Sequence, residues 1–254
     1  MDLTRALGAD AGLTCVVGAG GKKSALYELA DRLDRAVLTA TVRIPIFDRR
    51  VATVRVTDDP VGVLSADRTD AERDREWPLG LVADRDGDDR YVGYDPAVVD
   101  EIAAAGAADH VLVKADGART RLLKAPGDHE PQLPATADAV LAIASVHAVG
   151  EPLDERAVHR PERVAAVTGR SPGESIEPAD VATLLTSPEA GLKGVPDGAT
   201  YVPVLNMVDD DEDLAIAREI ARSVLDRNAG AHDRVSRVAL TSMIADEPLV
   251  DVVG

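Results

Sequence analysis

A glycine-rich stretch near the start of the chain combines residue types that bind phosphate. It reads G-A-G-G-K-K-S over 18–24, and it lies between an apolar run over 13–17 and a helical pattern that begins near Lys22. Glycine tolerates positive φ, and the first N–H groups of a helix lack internal acceptors and carry the positive end of the helix dipole. This arrangement predicts an anion site, with nucleotide phosphate as the expected anion. The candidate binding residues are Gly18, Ala19, Gly20, Gly21, Lys22, Lys23 and Ser24.

The glycine stretch matches the known nucleotide-binding patterns only in part. The phosphate-binding loop G-x-x-x-x-G-K-[ST] needs a glycine five residues before Gly21, where this chain has Val16, and a hydroxyl residue where it has Lys23. The dinucleotide pattern G-x-G-x-x-G also fails, because Lys23 stands in place of its third glycine. The alternative is a glycine turn that only allows the helix to pack on the strand.

A second charged motif follows an apolar run over 110–113. Asp116 lies just past the end of this predicted strand, where an acid can hold Mg²⁺ opposite nucleotide phosphates. We therefore predict Ser24 and Asp116 as metal ligands, and a plain Asp-Gly turn is the alternative. The candidate catalytic residues are Lys22, Asp116, Arg119, Arg121, Lys124, His129 and Glu130. His159 and Glu162 are further candidates for substrate contact or acid–base work, with structural hydrogen bonding as the alternative for a histidine.

The composition is strongly acidic and poor in lysine. The net charge is −17, only 2% of residues are aromatic, and five of the 28 basic residues are lysine, as in proteins of extreme halophiles. Such a chain is not expected to bind nucleic acid by neutralising phosphates. A single cysteine excludes disulfides within the chain and CxxC metal sites. Because the sequence has neither a signal-peptide core nor an apolar run near ~18 residues, we expect a cytoplasmic protein that does not contact membranes.

The order of apolar runs and turns predicts the fold class. Buried strands are expected over 36–41, 110–113, 137–145, 200–206 and 234–240, and helical patterns separate most of them. This alternation predicts one α/β domain over 1–254, with three layers, a mostly parallel sheet and a likeness to P-loop NTPases. A small β-rich insertion is expected over 45–95, where short apolar stretches alternate with turns. The acidic run over 209–213 is interpreted as a solvated helix start.

Five segments of the chain share a pattern with one known family. They are G-A-G-G-K-K-S (18–24), A-D-G-A-R-T-R-L-L-K-A-P-G-D-H-E-P (115–131), P-L-D-E-R-A-V-H-R-P-E (152–162), S-P-E-A-G-L-K-G-V-P (187–196) and N-M-V-D-D (206–210). Together these segments resemble the YqeC family, the accessory proteins of selenium-dependent molybdenum hydroxylases. The chain departs from that family's usual pattern at Ala19, at Lys23, which replaces a hydroxyl residue, and at Lys114, which replaces a glutamate.

The resemblance implies a nucleotide-binding maturation factor. Its expected cofactor is a nucleoside triphosphate, ATP or GTP, with Mg²⁺. Its expected partners are a client molybdenum hydroxylase and a selenium- or molybdopterin-related small molecule. Arg119, Arg121 and Lys124 would either offset transition-state charge or bind the anionic group of that molecule. Asn206 and Asp209 are similar to the N-K-x-D guanine pocket of P-loop GTPases, although Met207 replaces the lysine. Capping of the following helix is the alternative role for Asp209.

Three functions are compatible with these residues. The first is a nucleoside triphosphate-binding protein, and possible NTPase, that couples binding or hydrolysis to cofactor insertion. The second is a carrier that binds a cofactor or anion without hydrolysis, which the lost hydroxyl at Lys23 favours. The third is a small-molecule kinase or phosphotransferase, which would need a general base beside the acceptor.

Overall fold

The computed structural model describes residues 1–10, 12–66, 77–228 and 234–254. Within these ranges the helices are α1 (Leu3–Leu7), α2 (Lys22–Arg32), α3 (Pro60–Ala66), α4 (Pro96–Ala104), α5 (Pro161–Thr168), α6 (Pro178–Thr186) and α7 (Asp211–Asn228). The strands are β1 (Leu13–Gly18), β2 (Ala36–Ala40), β3 (Ile44–Pro45), β4 (Thr53–Val56), β5 (Leu79–Val82), β6 (Asp84–Asp86), β7 (Arg90–Val92), β8 (His110–Lys114), β9 (Leu123–Lys124), β10 (Ala139–Ser145), β11 (Val158–His159), β12 (Thr200–Asn206), β13 (Val238–Thr241) and β14 (Leu249–Val253).

Nine of the described strands form one sheet in the order β14-β13-β12-β10-β1-β8-β2-β5-β4. All neighbouring strands are parallel except β14, which runs antiparallel to β13. In the centre, Val16 of β1 is in register with Leu141 of β10 on one side and with Lys114 of β8 on the other. These central strands read as continuous apolar runs because both of their faces are covered.

Helices cover both faces of the sheet. On one face, Leu26 and Leu29 of α2 pack with Val16 and with residues of α1. On the other face, Cys15 and Val17 of β1 pack with residues of α4, α6 and α7. Adjacent residues of β1 therefore point to different layers, as the two-residue period of a strand requires. This confirms the prediction of a three-layer, mostly parallel α/β fold.

The chain reverses its direction of travel across the sheet between β1 and β10. From β1 it passes through α2 to β2, beyond β8, whereas from β10 it continues to β12 on the opposite side. Open α/β sheets bind ligands at the carboxyl ends of strands at such a switch point. The glycine stretch follows β1 directly, so it lies at this place.

The region over 45–95, predicted as a β insertion, is divided between two sheets. The strands β3, β6 and β7 form a small antiparallel sheet, whereas β4 and β5 extend the main sheet in parallel. The fully buried run Leu79–Val82 explains why β5 joins the main sheet. Residues 67–76 of this region lie outside the described residues.

The predicted central elements agree closely with the structure. The helix start at Lys22 and the strand over 200–206 are confirmed, whereas α1, α3 and β14 were not predicted. None of the helices described is both long and apolar enough to span a membrane.

Candidate functional site

The glycines of the loop after β1 are required by their backbone and by their neighbours. Gly18, Gly20 and Gly21 have φ values of 92°, 82° and 132°. A Cβ at Gly18 would lie 2.1 Å from the carbonyl oxygen of Ile143, and one at Gly21 would lie 2.1 Å from Nδ2 of Asn206. The loop therefore packs directly on the ends of β10 and β12. Close packing alone explains why these positions are glycine, so the glycines by themselves do not indicate a ligand. The loop's hydrogen-bond donors are more informative.

The loop's backbone donors divide into two groups. The N–H groups of Gly18, Ala19 and Gly20 point inward and bond to Asp116, Ile143 and Arg121, at 2.8–2.9 Å. The next four N–H groups begin α2 and have no hydrogen-bond acceptor among the described residues; they belong to Gly21, Lys22, Lys23 and Ser24. These four donors lie at the positive end of an 11-residue helix, which is the arrangement that attracts anions.

Lys22 folds back beneath the loop. Its side chain is buried, its Nζ donates to the carbonyl oxygen of Gly18, and the same Nζ lies 2.8 Å from Oδ1 of Asp116. Burial lowers the pKa of Lys22 below its ordinary value, although the charge of Asp116 opposes that change. The ammonium group is therefore held in a fixed position next to the loop backbone.

Asp116, at the end of β8, joins two lysines to the loop. Its Oδ2 accepts the N–H of Gly18 at 2.9 Å and lies 2.8 Å from Nζ of Lys124. Burial alone would raise the pKa of Asp116, but Lys22 and Lys124 bring it below its ordinary value. Oδ1 faces Lys22 without the alignment of a hydrogen bond, so that contact is an ion pair. Because both carboxylate oxygens face ammonium groups, Asp116 does not fit a directly bound Mg²⁺ in this arrangement.

Glu130 continues the network from Lys124 to Arg160. The Nζ of Lys124 donates to Oε2 of Glu130 at 2.8 Å and to the carbonyl oxygen of Gly117 at 2.6 Å. Nη1 of Arg160 donates to the same Oε2 at 2.7 Å. Burial would raise the pKa of Glu130, but Lys124 and Arg160 lower it to about 2. Glu130 is therefore ionised at neutral pH and links two cations.

Lys114 adds a further buried cation beside this network. Its side chain donates to the carbonyl oxygen of Arg43 at 2.9 Å, and no carboxylate in the described part of the chain forms an ion pair with it. Burial and then the nearby charge of Lys22 lower the pKa of Lys114 to about 8. Positive charge therefore exceeds negative charge around the loop. The cations are Lys22, Lys114, Lys124 and Arg160, and the carboxylates are Asp116 and Glu130.

The remaining predicted cations lie at the rim. Arg119 is exposed and Arg121 is half-buried, and neither forms an ion pair with a carboxylate that the structure describes. Arg119 and Thr120 both have positive φ, 48° and 59°. Four of the five non-glycine residues with positive φ in the described ranges lie around this site: Arg119, Thr120, Arg160 and Met207. Such strained backbone is concentrated at functional sites in proteins.

The structure does not bring every candidate into the network. His129 and Glu162 are exposed, and their side chains make no hydrogen bond to the network residues described above. His159 is half-buried on β11, in register with Lys124 of β9. Burial and then Arg160 lower the pKa of His159 to about 4, so its ring is neutral at pH 7. Ser24 is half-buried on the first turn of α2.

Asn206 holds the glycine loop from the other side. Its Nδ2 donates to the carbonyl oxygen of Gly20 at 2.7 Å, and its Oδ1 accepts from Thr241 at 3.2 Å and from the N–H of Met243 at 3.1 Å. Next to it, the hydroxyl of Ser145 donates to Sδ of Met207 at 3.0 Å. Asn206 is thus a buried link between the glycine loop and the ends of β12 and β13.

Asp209 lies on the same edge of the sheet, and its carboxylate is exposed. Its Oδ1 accepts the hydroxyl of Ser242 at 2.6 Å. His147 and Asp213 lie close enough to form a possible metal-ligand group with it. However, Asp213 accepts the N–H of Asp209 at 3.0 Å and contacts His147 at 3.1 Å, so hydrogen bonding at the start of α7 accounts for its position.

A small cavity lies beside the network, under the glycine loop. Asp116 and Lys124 supply its charged side chains, and most of its remaining wall consists of apolar residues of β1, β10 and α6. Next to the lining residue Pro126, the carbonyl oxygen of Gly127 accepts a hydrogen bond from Nζ of Lys193 at 2.6 Å.

Sequence reasoning missed three contributors to this site, namely Arg160, Ser145 and Ser242. Arg160 stands 30 residues from Glu130, and no local pattern connects the two. The serines lie at or just past strand ends, which is the one signal that could have identified them.

The fold and the site together define an α/β protein with a glycine-rich loop at its switch point and a buried lysine–carboxylate network beneath it. The chain belongs to the YqeC family: the model of that family, described as "YqeC protein", matches residues 14–162. It is also 30% identical over 210 residues to "Uncharacterized protein YqeC" of Escherichia coli (strain K12), an alignment that covers 81% of this chain and 79% of that protein. No solved structure matches the chain significantly. The family resemblance expected from the motifs is thus confirmed.

Proposed function

We propose that this protein binds the phosphates of a nucleoside triphosphate, ATP or GTP, at the glycine loop, and that it acts in the maturation of a selenium-dependent molybdenum hydroxylase. One observation carries the phosphate site: the four N–H groups of Gly21, Lys22, Lys23 and Ser24 have no acceptor among the described residues and begin a helix at the switch point. Membership of the YqeC family supports the maturation setting in general terms.

The charges around the loop support an anionic ligand. Lys22 and Lys124 are fixed by Asp116, so they would act on a bound phosphate through their field without having to reorganise. Lys23, half-buried and without an ion-pair partner in the described ranges, would contact the phosphate directly. Arg119 and Arg121 at the rim would bind a second anionic group, such as that of a selenium- or molybdopterin-related molecule.

A second candidate function is a carrier that binds an anionic cofactor without hydrolysing nucleotide. A specific observation favours it: both oxygens of Asp116 face lysines, so this carboxylate is not placed to serve as a base or as a metal ligand. The two functions share the same phosphate site and differ in turnover.

Nucleotide binding and phosphate release, measured at high salt, test the proposal. We expect the folded protein to bind fluorescent triphosphate analogues, and Lys23→Ala to weaken binding about tenfold through loss of one charge-assisted contact. Arg222→Ala, which removes an exposed charge from α7, is the control. Phosphate release with binding supports the NTPase, whereas binding without release supports the carrier. Absence of binding at millimolar nucleotide would refute the phosphate site.

A further inference from the structure

We propose that the cavity beside the network is a binding site for a small carboxylate with a short aliphatic chain, and that the carboxylate of Glu130 occupies the position that the ligand's carboxylate takes. This site is separate from the free N–H groups at the start of α2. The inference therefore goes beyond the proposed function and does not depend on it.

Four hydrogen-bond donors converge on the carboxylate of Glu130. Its Oε2 accepts from Nζ of Lys124 at 2.8 Å, from Nη1 of Arg160 at 2.7 Å and from the N–H of Gly127 at 3.4 Å. Its Oε1 accepts the N–H of Gly117 at 3.4 Å. We call these four donors the carboxylate cradle. Two charged and two backbone donors, divided between the two oxygens of one group, match the shape and charge of a carboxylate.

Most of the carboxylate cradle is held in place by contacts that do not involve the carboxylate inside it. Nζ of Lys124 lies 2.8 Å from Oδ2 of Asp116 and donates to the carbonyl oxygen of Gly117 at 2.6 Å. The carbonyl oxygen of Gly127 accepts from Nζ of Lys193 at 2.6 Å. These donors therefore keep their positions when a second carboxylate replaces the first.

The side chain of Glu130 can leave the cradle without disturbing the core. It is 18% exposed, whereas the side chain of Lys124 is 1% exposed. A rotation about the side-chain bonds of Glu130 is enough to bring its carboxylate into solvent, where an ionised group is well hydrated. Exchange with a ligand therefore requires one side chain to move, and the backbone of the turn stays where it is.

The cavity supplies the space for the rest of the ligand. Lys124 lines it, and so do Pro126 and Pro131, which flank the turn that carries Glu130. The apolar part of its wall comes from β1, β10 and α6 and includes Leu184. Its volume is about 30 Å³, which is room for about two water-sized groups. A methylene and a methyl group fill that space, so a carboxylate of the size of propionate fits the cradle and the cavity together.

The charges of the network favour a monoanion over a neutral ligand. Arg160 has no ion pair in the described part of the chain other than the one with Glu130. A ligand carboxylate that replaces Glu130 restores that ion pair and keeps the charge balance of the network. A neutral amide of the same shape would leave the guanidinium without an anionic partner, which is costly for a partly buried charge. Propionamide should therefore be rejected.

Methyl NMR at high salt tests the inference, with propionate as the probe. The methyl resonances of Leu184 and Leu185, which line the cavity, report where the probe binds, and their titration gives the dissociation constant. Formate, butyrate and propionamide are the comparison probes. The variants are Glu130→Gln, Leu184→Val and Glu162→Gln. Glu162→Gln is the matched control, because it removes the same charge from an exposed side chain that makes no hydrogen bond to the network.

We expect propionate to shift these resonances saturably and to bind about tenfold more tightly than formate, because each buried CH₂ group contributes about fourfold. Glu130→Gln should bind propionate about tenfold more tightly than the wild type does, since an uncharged amide occupies the cradle less and the competent fraction rises. Glu162→Gln should bind like the wild type. Leu184→Val should shift the preference from propionate to butyrate, because the lost methylene makes room for one more carbon.

Three results would overturn the proposal. Equal binding of propionate and propionamide would contradict recognition of a carboxylate. Equal binding of formate and propionate would contradict the role of the cavity. A wild type and a Glu130→Gln variant that both show no saturable shift at decimolar propionate would leave Glu130 as a structural ion-pair partner only. If Glu130→Gln does not fold, the wild-type chain-length series and Leu184→Val decide. None of these measurements involves nucleotide, so failure here is distinct from failure of the proposed function.

Discussion

The buried ammonium of Lys114 should reduce the stability of the protein at neutral pH, and Lys114→Met should show it. Lys114 is buried, and among the described residues its ammonium donates to one acceptor, the carbonyl oxygen of Arg43. Methionine has a similar length and carries no charge, so it can occupy the same space. The substitution removes the cost of burying a charge and leaves the carbonyl of Arg43 without that donor.

The size of the effect follows from the pKa of Lys114, which burial lowers from 10.5 to about 8. Because the folded state binds its proton less tightly than the unfolded state, folding with Lys114 charged costs about 3 kcal/mol below pH 8. This cost is relieved as the pH rises from about 8 to 10.5. The lost hydrogen bond to Arg43 offsets about 1 kcal/mol of the gain. Lys114→Met should therefore be about 2 kcal/mol more stable than the wild type at pH 7.

Urea unfolding of both proteins at high salt, from pH 7 to pH 10, measures this difference. We expect the advantage of Lys114→Met, about 2 kcal/mol at pH 7, to disappear by pH 10, because the wild-type ammonium loses its proton in the folded state. Lys23→Met is the matched control, since it removes the same charge from a half-buried position. A difference that stays constant with pH, or a variant less stable than the wild type at pH 7, would refute the reading of Lys114 as a poorly compensated buried cation.

Two further predictions concern the loop and the network. Gly21→Ala should unfold at lower temperature and bind nucleotide weakly, because the new Cβ would lie 2.1 Å from Nδ2 of Asn206 at a backbone φ of 132°. A strained backbone position of this kind costs about 1–3 kcal/mol. An unchanged melting temperature would contradict the described packing. Glu130→Gln should remove an acid-sensitive contribution to the free energy of unfolding. The pKa of Glu130 is lowered from 4.5 to about 2, so its ionised form stabilises the fold by about 3 kcal/mol above pH 4.5. This stabilisation is lost as the pH falls towards 2. Acid unfolding of the two proteins measures this contribution, and coincident curves would count against the Lys124–Glu130–Arg160 link.

The central part of the fold could be predicted because local pattern and global fold agree there. The apolar run over 13–17, the glycines and the helical spacing after Lys22 each follow from short-range rules, and the structure has β1, the loop and α2 in those places. The strands β4 and β5 were assigned to an insertion instead. Polar and proline-rich turns surround both of them, and only long-range pairing places them beside β2.

The motifs of the candidate site could be predicted from the sequence, whereas the ion pairs and hydrogen bonds between their residues could not. Asp116 was identified from its place past a strand end, yet its role as an anchor for Lys22 and Lys124 depends in part on an ion pair with Lys22, which is far from it in sequence. The burial of Lys114 could not be read from the sequence either, because a lysine at a strand end is ordinarily exposed. Such pairings are fixed by tertiary packing, which a single sequence does not record.

The backbone of Gly20 is bonded in opposite directions: its N–H donates to the carbonyl oxygen of Arg121 at 2.9 Å, and its own carbonyl accepts from Asn206 at 2.7 Å. The loop is thereby hydrogen-bonded to two other segments of the chain. One is the turn that carries the exposed Arg119, and the other is the strand end that precedes Asp209. A displacement of Gly20 would strain or break at least one of these two hydrogen bonds, so the position of the loop is coupled to both of these segments.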